Sequence, residues 1–266
     1  MKTDIFIKTC AKDLNWLSYC LKSIEKFATG FDKVIIVCDK NDYDITTATI
    51  GLSVTNLKCV VKEHTYKIYD HELHNIPFGY QIQKVVKLTW TSFSDADRVL
   101  QIDSDCIFTR PCDVSKYWMV DDKIMWIVSQ WKYASKAEID MWERGRLWFT
   151  NYQNCEHNLM VLPGFTMDSE TTTNFIQYIF DRFRYDINEL FTKKSNPHLS
   201  VYNTFGLYLW MLEDCTTYNI DALEVYDKKY EFVNCSKIQQ PYPLKQYWSW
   251  GKLTDEIKDE ICQILE

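Results

Sequence analysis

Apolar and polar positions follow two alternating periods through the first hundred residues. Ile5-Phe6-Ile7 is a short β run, and behind it Trp16, Leu17, Cys20, Leu21, Ile24 and Phe27 recur on one helical face. Asp13 is placed to cap that helix and Gly30 to close it. The run from Lys33 to Cys38 predicts a buried strand, and Leu57 to Val61 predicts another. Ile82, Val85, Val86 and Phe93, with Thr89 in register, predict a second helix that leads into the apolar stretch from Arg98 to Ile102. Strand and helix alternating in this order predict an α/β fold with a mainly parallel central sheet and helices on both faces.

Beyond Arg110-Pro111 the pattern is mixed. Ile124 to Val128 and Leu159 to Leu162 read as strands, the latter ended by Pro163-Gly164. Residues 130–150 are aromatic and irregular. Ser169 is placed to cap a helix whose buried face carries Phe175, Ile176, Ile179, Phe180 and Phe183. Ser200 starts another, with Tyr202, Phe205, Leu209 and Leu212 in register, and Thr254 opens a last one carrying Ile257, Ile261 and Ile264. No linker, repeat or charge block divides the 266 residues, so a single domain over 1–266 is expected.

Composition narrows the function. A net charge of −7 without any basic cluster argues against a nucleic-acid partner. The 10 Trp and 17 Tyr are partly core, but they also supply rings that stack on sugars and bases while keeping a polar handle. Cys20, Cys38, Cys59 and Cys106 fall inside apolar patterns and no C-x-x-C pair occurs, which points to free thiols in a reducing setting rather than a zinc site. The N-terminal residues carry no secretory pattern, and runs such as Val34 to Cys38 are too short to span a bilayer. A cytoplasmic protein without a transmembrane segment is expected, in the host cytoplasm if the chain is viral.

Candidate chemistry is concentrated in Asp103-Ser104-Asp105, which follows the apolar strand and precedes Cys106-Ile107-Phe108. A side-chain period of two puts Asp103 and Asp105 on one side of an extended backbone. Two hard oxygen ligands on one face suit a divalent cation whose remaining ligands come from a phosphate. The loops Lys8 to Asp13 and Asp39 to Asn41 also fall at strand carboxyl ends, where ligands bind in sheets of this kind.

Together with Phe6 to Asp13 and Tyr80 to Leu88, this motif resembles the GT-A glycosyltransferases. Within them it is similar to small bacterial and large-DNA-virus polysaccharide glycosyltransferases, including viral rhamnosyltransferase-like domains. The resemblance returns at Ser200-Val201-Tyr202-Asn203-Thr204-Phe205-Gly206, where Val201 stands at a position expected to be acidic. It implies a single GT-A, Rossmann-like domain with a donor half over 1–110 and an acceptor half over 111–266. It also implies transfer of a sugar from a nucleoside-diphosphate donor, a uridine diphosphate sugar being expected, to a glycan or other hydroxyl, with Mn2+ or Mg2+ bound.

On that reading Asp105 is the direct metal ligand, and Asp103 reaches the metal through water or binds the ribose. Thr9, Lys12 and Asp39 lie by the base or diphosphate, with Ser104 beside the donor, while Gln83 and Lys84 reach its phosphate or sugar. Asp140, Glu143, Glu156 and His198 are available as the base that takes the acceptor proton, and His157 or His198 as an added metal ligand. Trp131, Tyr133, Trp142 and Trp148 are candidate acceptor platforms. Two alternatives stand beside this reading: a haloacid-dehalogenase-like phosphatase with a nucleophilic first aspartate, and a non-catalytic nucleotide- or carbohydrate-binding module.

Overall fold

The computed structural model describes residues 1–66, 78–130, 157–192, 199–214, 229–238, 241–249 and 251–266. In the first half the elements are β1 (Thr3–Lys8), α1 (Leu14–Phe27), β2 (Ala28–Thr29), β3 (Val34–Asp39), α2 (Tyr43–Ser53), β4 (Cys59–His64), α3 (Phe78–Leu88), β5 (Arg98–Asp103) and β6 (Cys106–Phe108). There follow β7 (Cys112–Asp113), α4 (Val114–Tyr117), β8 (Met119–Val120), β9 (Lys123–Gln130), β10 (His157–Asn158), β11 (Phe165–Asp168) and α5 (Ser169–Phe183). The last are α6 (Ile187–Thr192), α7 (Val201–Asp214), β12 (Tyr230–Asn234), β13 (Leu244–Gln246) and α8 (Asp255–Leu265).

The central sheet has the order β11-β5-β1-β3-β4. Strands β5, β1, β3 and β4 are parallel, and β11 adds an antiparallel edge to β5. Alternation along each strand sends side chains to two cores. Ile5, Ile7, Val34, Ile36, Leu100 and Ile102 join Leu17, Leu21 and Ile24 of α1 and Ile261 of α8. On the other face Phe6, Ile35, Val37 and Val99 pack on Ile82 and Val86 of α3 and on Trp90. Each such side chain contributes about 1.5–3 kcal/mol when fully buried. Because the four strands run the same way, the carboxyl ends of β1, β3 and β5 meet at one edge, with Lys8 opposite Asp103 in the ladder.

A second sheet, β10-β9-β12 with β8 beside β9, carries an aromatic core. Trp126 of β9 packs against the rings of Phe165, Phe205 and Tyr230. Asp121 and Asp122, both at positive φ (47° and 65°), form the two-residue loop that joins β8 to β9. No helix among the described residues is long and apolar enough to cross a membrane.

Several local expectations shift. Helix α1 ends at Phe27 rather than Gly30, because Ala28 and Thr29 leave it to pair with β7. Gly30 instead serves the turn into β3 at φ +74°, where a Cβ would fall 2.0 Å from Asp113 Oδ1. Asp13 holds the N-cap place without capping; its carboxylate accepts from Cys10 Sγ. Helix α3 stops at Leu88, before Phe93, as Trp90 to Ser92 tighten into a 3-10 turn. Residues 159–162 are not a strand: the Leu159 amide is taken by the Asn203 side chain, and the chain turns at Gly164, φ +88°, before entering the sheet as β11. Asp168, not Ser169, caps α5, accepting from the Thr171 amide, and Phe180 is exposed on that helix. Helix α2 gave no periodic signal, because it leaves Ile45 and Leu52 in solvent and buries only Thr46 and Ile50.

Candidate active site

Asp103 ends β5, while Ser104 and Asp105 form a turn into β6. The two carboxylates do converge, but a turn brings them together rather than the strand period. Gln246 Nε2 lies 3.4 Å from Asp103 Oδ2 and 3.3 Å from Asp105 Oδ1, so both oxygens face one point. Gln246 arrives there because β13 pairs antiparallel with β6, opposite Cys106.

The two aspartates are held differently. Asp103 Oδ1 accepts from Lys87 Nζ at 2.6 Å and from Gln83 Nε2 at 2.9 Å, one helical turn apart on α3. Burial works against the Lys87 ammonium, but Asp103 beside it more than offsets this and raises its pKa. The Lys87 ammonium also lies 5.0 Å from the centroid of the Tyr202 ring, whose hydroxyl donates to Gln101 of β5. Asp105 is buried, accepting at Oδ2 from the Ser249 amide at 2.5 Å. Burial pushes the Asp105 carboxyl up, the neighbouring Asp103 charge adds to this, and the bonds from Ser249 and Gln246 only partly oppose it.

A second cluster lies along the same edge. Lys8 Nζ donates to the Thr9 carbonyl and to Asp39 Oδ2 at 3.3 Å. His64, opposite Asp39 in the ladder, brings Nε2 to 2.9 Å from Asp39 Oδ1, close but poorly aligned for a hydrogen bond. The His64 contact, with Lys8 beside it, outweighs partial burial and holds the Asp39 carboxyl at about 2. Thr9 Oγ1 is buried with no hydrogen-bond partner among the described residues, an orphan that costs about 1–3 kcal/mol until something meets it.

The other expected residues fall into place unevenly. Lys12 is exposed at the rim and Ser104 is buried in the aspartate turn. Lys84 does not touch Asp103; it is buried 4.6 Å from the Tyr80 ring centroid, and burial pulls its ammonium down to about 7. His157 sits in β10 with its ring 4.9 Å from that of Trp210. Among the described residues no group of three His, Cys, Asp or Glu is arranged to hold a metal, so no histidine joins the aspartates there. Val201 is buried in the second core, where an acid would be unpaired. Trp131, Tyr133, Asp140, Trp142, Glu143, Trp148, Glu156 and His198 lie outside the described residues.

Sequence reasoning missed Lys87, Gln246 and His64. Lys87 was within reach, being four residues after Gln83 on the same helical stripe. Gln246 and His64 enter through strand pairing across 140 and 25 residues of chain, counted from Cys106 to Gln246 and from Asp39 to His64. No local signal announces either.

The divalent cation fits this geometry. Two carboxylate oxygens converge on one point, and a half-turn of the Gln246 amide would present its oxygen to that point instead of its nitrogen.

Comparison with known proteins agrees in fold. The chain is similar to the crystal structure of galactosyltransferase LgtC in complex with donor and acceptor sugar analogues, at 11% identity over 98% of this chain and 95% of that one, with a TM-score of 0.54. An active-site mutant of LgtC is matched at 10% identity over 98% and 94%, with a TM-score of 0.55. At this identity the likeness is one of architecture: an α/β fold with a mainly parallel central sheet, of the GT-A type. No curated protein matches the chain in sequence. The family is set by residues 4–250, which match throughout: the chain belongs to the family of unknown function DUF6492.

Proposed function

We propose that the chain is a metal-dependent glycosyltransferase, moving a sugar from a nucleoside-diphosphate donor to a glycan or other hydroxyl. The observation that carries this reading is the meeting of Asp103 Oδ2 and Asp105 Oδ1 at one point, at the carboxyl end of a central parallel strand. Mn2+ or Mg2+ bound there supplies a Lewis acid that neutralises the charge developing on the departing diphosphate.

The chain's own residues do the rest. Asp105 is the ligand with the stronger need for a cation, since it is buried beside a like charge. Asp103, ion-paired with Lys87 and hydrogen-bonded by Gln83 at Oδ1, offers its other oxygen to the cation through water, or to the ribose. Gln246 completes the set as a neutral oxygen ligand. Thr9, with its orphan hydroxyl, and the Lys8–Asp39–His64 cluster line the path for the nucleotide, a uridine diphosphate sugar being expected. Lys12 stands at its rim. A phosphatase reading needs a free nucleophilic Asp103, whereas Lys87 and Gln83 already engage one of its oxygens.

A thermal-shift screen of nucleotide sugars with manganese, with magnesium and with chelator tests the proposal, because a ligand of the native state raises its melting temperature. A metal-dependent shift with one donor is expected. No shift with any donor in either metal would overturn the reading. Release of phosphate from a simple monoester would favour the phosphatase.

A further inference from the structure

Trp248 is the one exposed tryptophan among the described residues, with 55% of its surface in solvent. It also has φ +58°, a left-handed conformation that bulky side chains rarely adopt. The other non-glycine residues with positive φ have local reasons for it. Asp121 and Asp122 make the β8–β9 turn, and Arg184 ends α5. Trp248 opens a turn closed by the Gly251 amide, and the amides on either side of it both reach back to Asp105.

Its backbone is fixed from the aspartate side. The Tyr247 amide donates to the Asp105 carbonyl at 3.1 Å, the Ser249 amide to Asp105 Oδ2 at 2.5 Å, and the Gly251 amide to the Trp248 carbonyl at 2.8 Å. Tyr247 turns the other way, stacking on Trp16 and donating to Glu260. Its neighbour's indole is thus held half in water by bonds to a residue of the aspartate pair.

We propose that the exposed indole of Trp248 is a platform for the acceptor, which is a neutral saccharide laying the C–H face of its terminal ring on that surface. The inference rests on the glycosyltransferase reading and adds the chemical class of the acceptor. A flat, rigid aromatic face suits a pyranose, whose ring offers polarised C–H groups on one side, and fixing it costs little side-chain entropy. The platform is open to solvent, as a chain extending outward requires, while a donor sugar must be shielded from water. Asp105 at its backbone and the donor diphosphate expected beside it favour a neutral sugar over an anionic one.

The test uses the full chain with manganese and uridine diphosphate, titrated by saturation-transfer NMR with neutral methyl glycosides and short neutral oligosaccharides. Trp248→Phe should bind the saccharide that wild type binds within about threefold, and Trp248→Gly at least about tenfold more weakly. Glycine accepts the left-handed conformation freely, so Trp248→Gly should still bind uridine diphosphate with manganese as wild type does, which separates saccharide binding from folding. Equal saccharide affinity in Trp248→Gly would overturn the proposal. So would a wild type that binds the nucleotide with metal but no saccharide, a result that leaves the glycosyltransferase reading standing. Failure to bind the nucleotide with metal would remove both.

Discussion

Charged groups line both edges of the central sheet and are partnered differently. At the amino-terminal edge Asp95 pairs with Lys2 and Lys33, and Asp32 with Lys58 and Lys2, mostly in solvent, while the buried carboxylate of Asp4 accepts from Ser94 with the Lys33 ammonium 3.8 Å away. The cleft there, about 430 Å³, is lined by carboxylates that already have partners: Asp95 the ammoniums of Lys2 and Lys33, Glu170 that of Lys229, and Asp97 the Lys2 backbone amide. At the carboxyl-terminal edge Asp103 and Asp105 stand together in a half-buried turn with Lys87 as their ion-pair partner among the described residues. Matched exposed pairs contribute little and ask for nothing further. A buried excess of one carboxylate is costly, and a bound cation relieves it. The unmatched carboxylate sets the carboxyl-terminal edge apart as the proposed binding edge.

The largest expected effect is on turnover. Asp105→Ala should lower metal-dependent sugar transfer by about a thousandfold or more, and Asp103→Ala severely, with the fold retained. Asp95→Ala at the opposite edge should stay within about twofold. Steady-state assays of all three would erase the contrast between the edges if the amino-edge variant fell as far.

Next comes stability. Lys87→Met leaves Asp103 without its ion-pair partner and should cost about 3–5 kcal/mol in urea unfolding, whereas Asp95→Asn should leave the midpoint unchanged. An unaltered midpoint for Lys87→Met would mean that water already screens the pair.

Lys84 gives a pH signature on the same helix. With its ammonium pulled down to about 7, the unfolded chain binds more protons than the folded chain between about 7 and 10.5. Stability should therefore rise with pH across that window, by on the order of 5 kcal/mol, and be lowest below it. Lys84→Met should flatten the slope, and an identical pH profile in the variant would place the titration elsewhere.

Away from both edges, Gly206→Ala should cost about 1–3 kcal/mol without altering cation binding, since a Cβ would fall 2.7 Å from Trp126 Nε1 and 2.9 Å from Leu159 Cβ.

Local pattern was enough wherever an element buries one continuous face. The β1, α1, β3 and β5 stripes are legible because parallel strands are apolar throughout and α1 presents one apolar side to them. It failed for α2, which has no buried stripe, and for β11, which is short and follows a glycine turn. The aspartate pair was legible as a motif, though its geometry was not, since a turn and not the strand period makes it converge. Gln246 and His64 are set by long-range pairing, and a single sequence does not display registers between distant strands. The Ser200–Gly206 motif turns out to serve packing and support: Tyr202 stacks on Phe165 at 3.7 Å and lies against Lys87, while Asn203 holds the Leu159 amide.

The central claim is that Asp103 and Asp105 take a divalent cation together with a nucleoside diphosphate. Titration calorimetry of uridine diphosphate into wild type and Asp105→Asn, each with manganese and with chelator, addresses it directly. Asparagine keeps the shape and removes the charge. Wild type should bind at least about tenfold more tightly with manganese, and Asp105→Asn should lose that gain. The same affinity in manganese and in chelator for wild type would contradict the account.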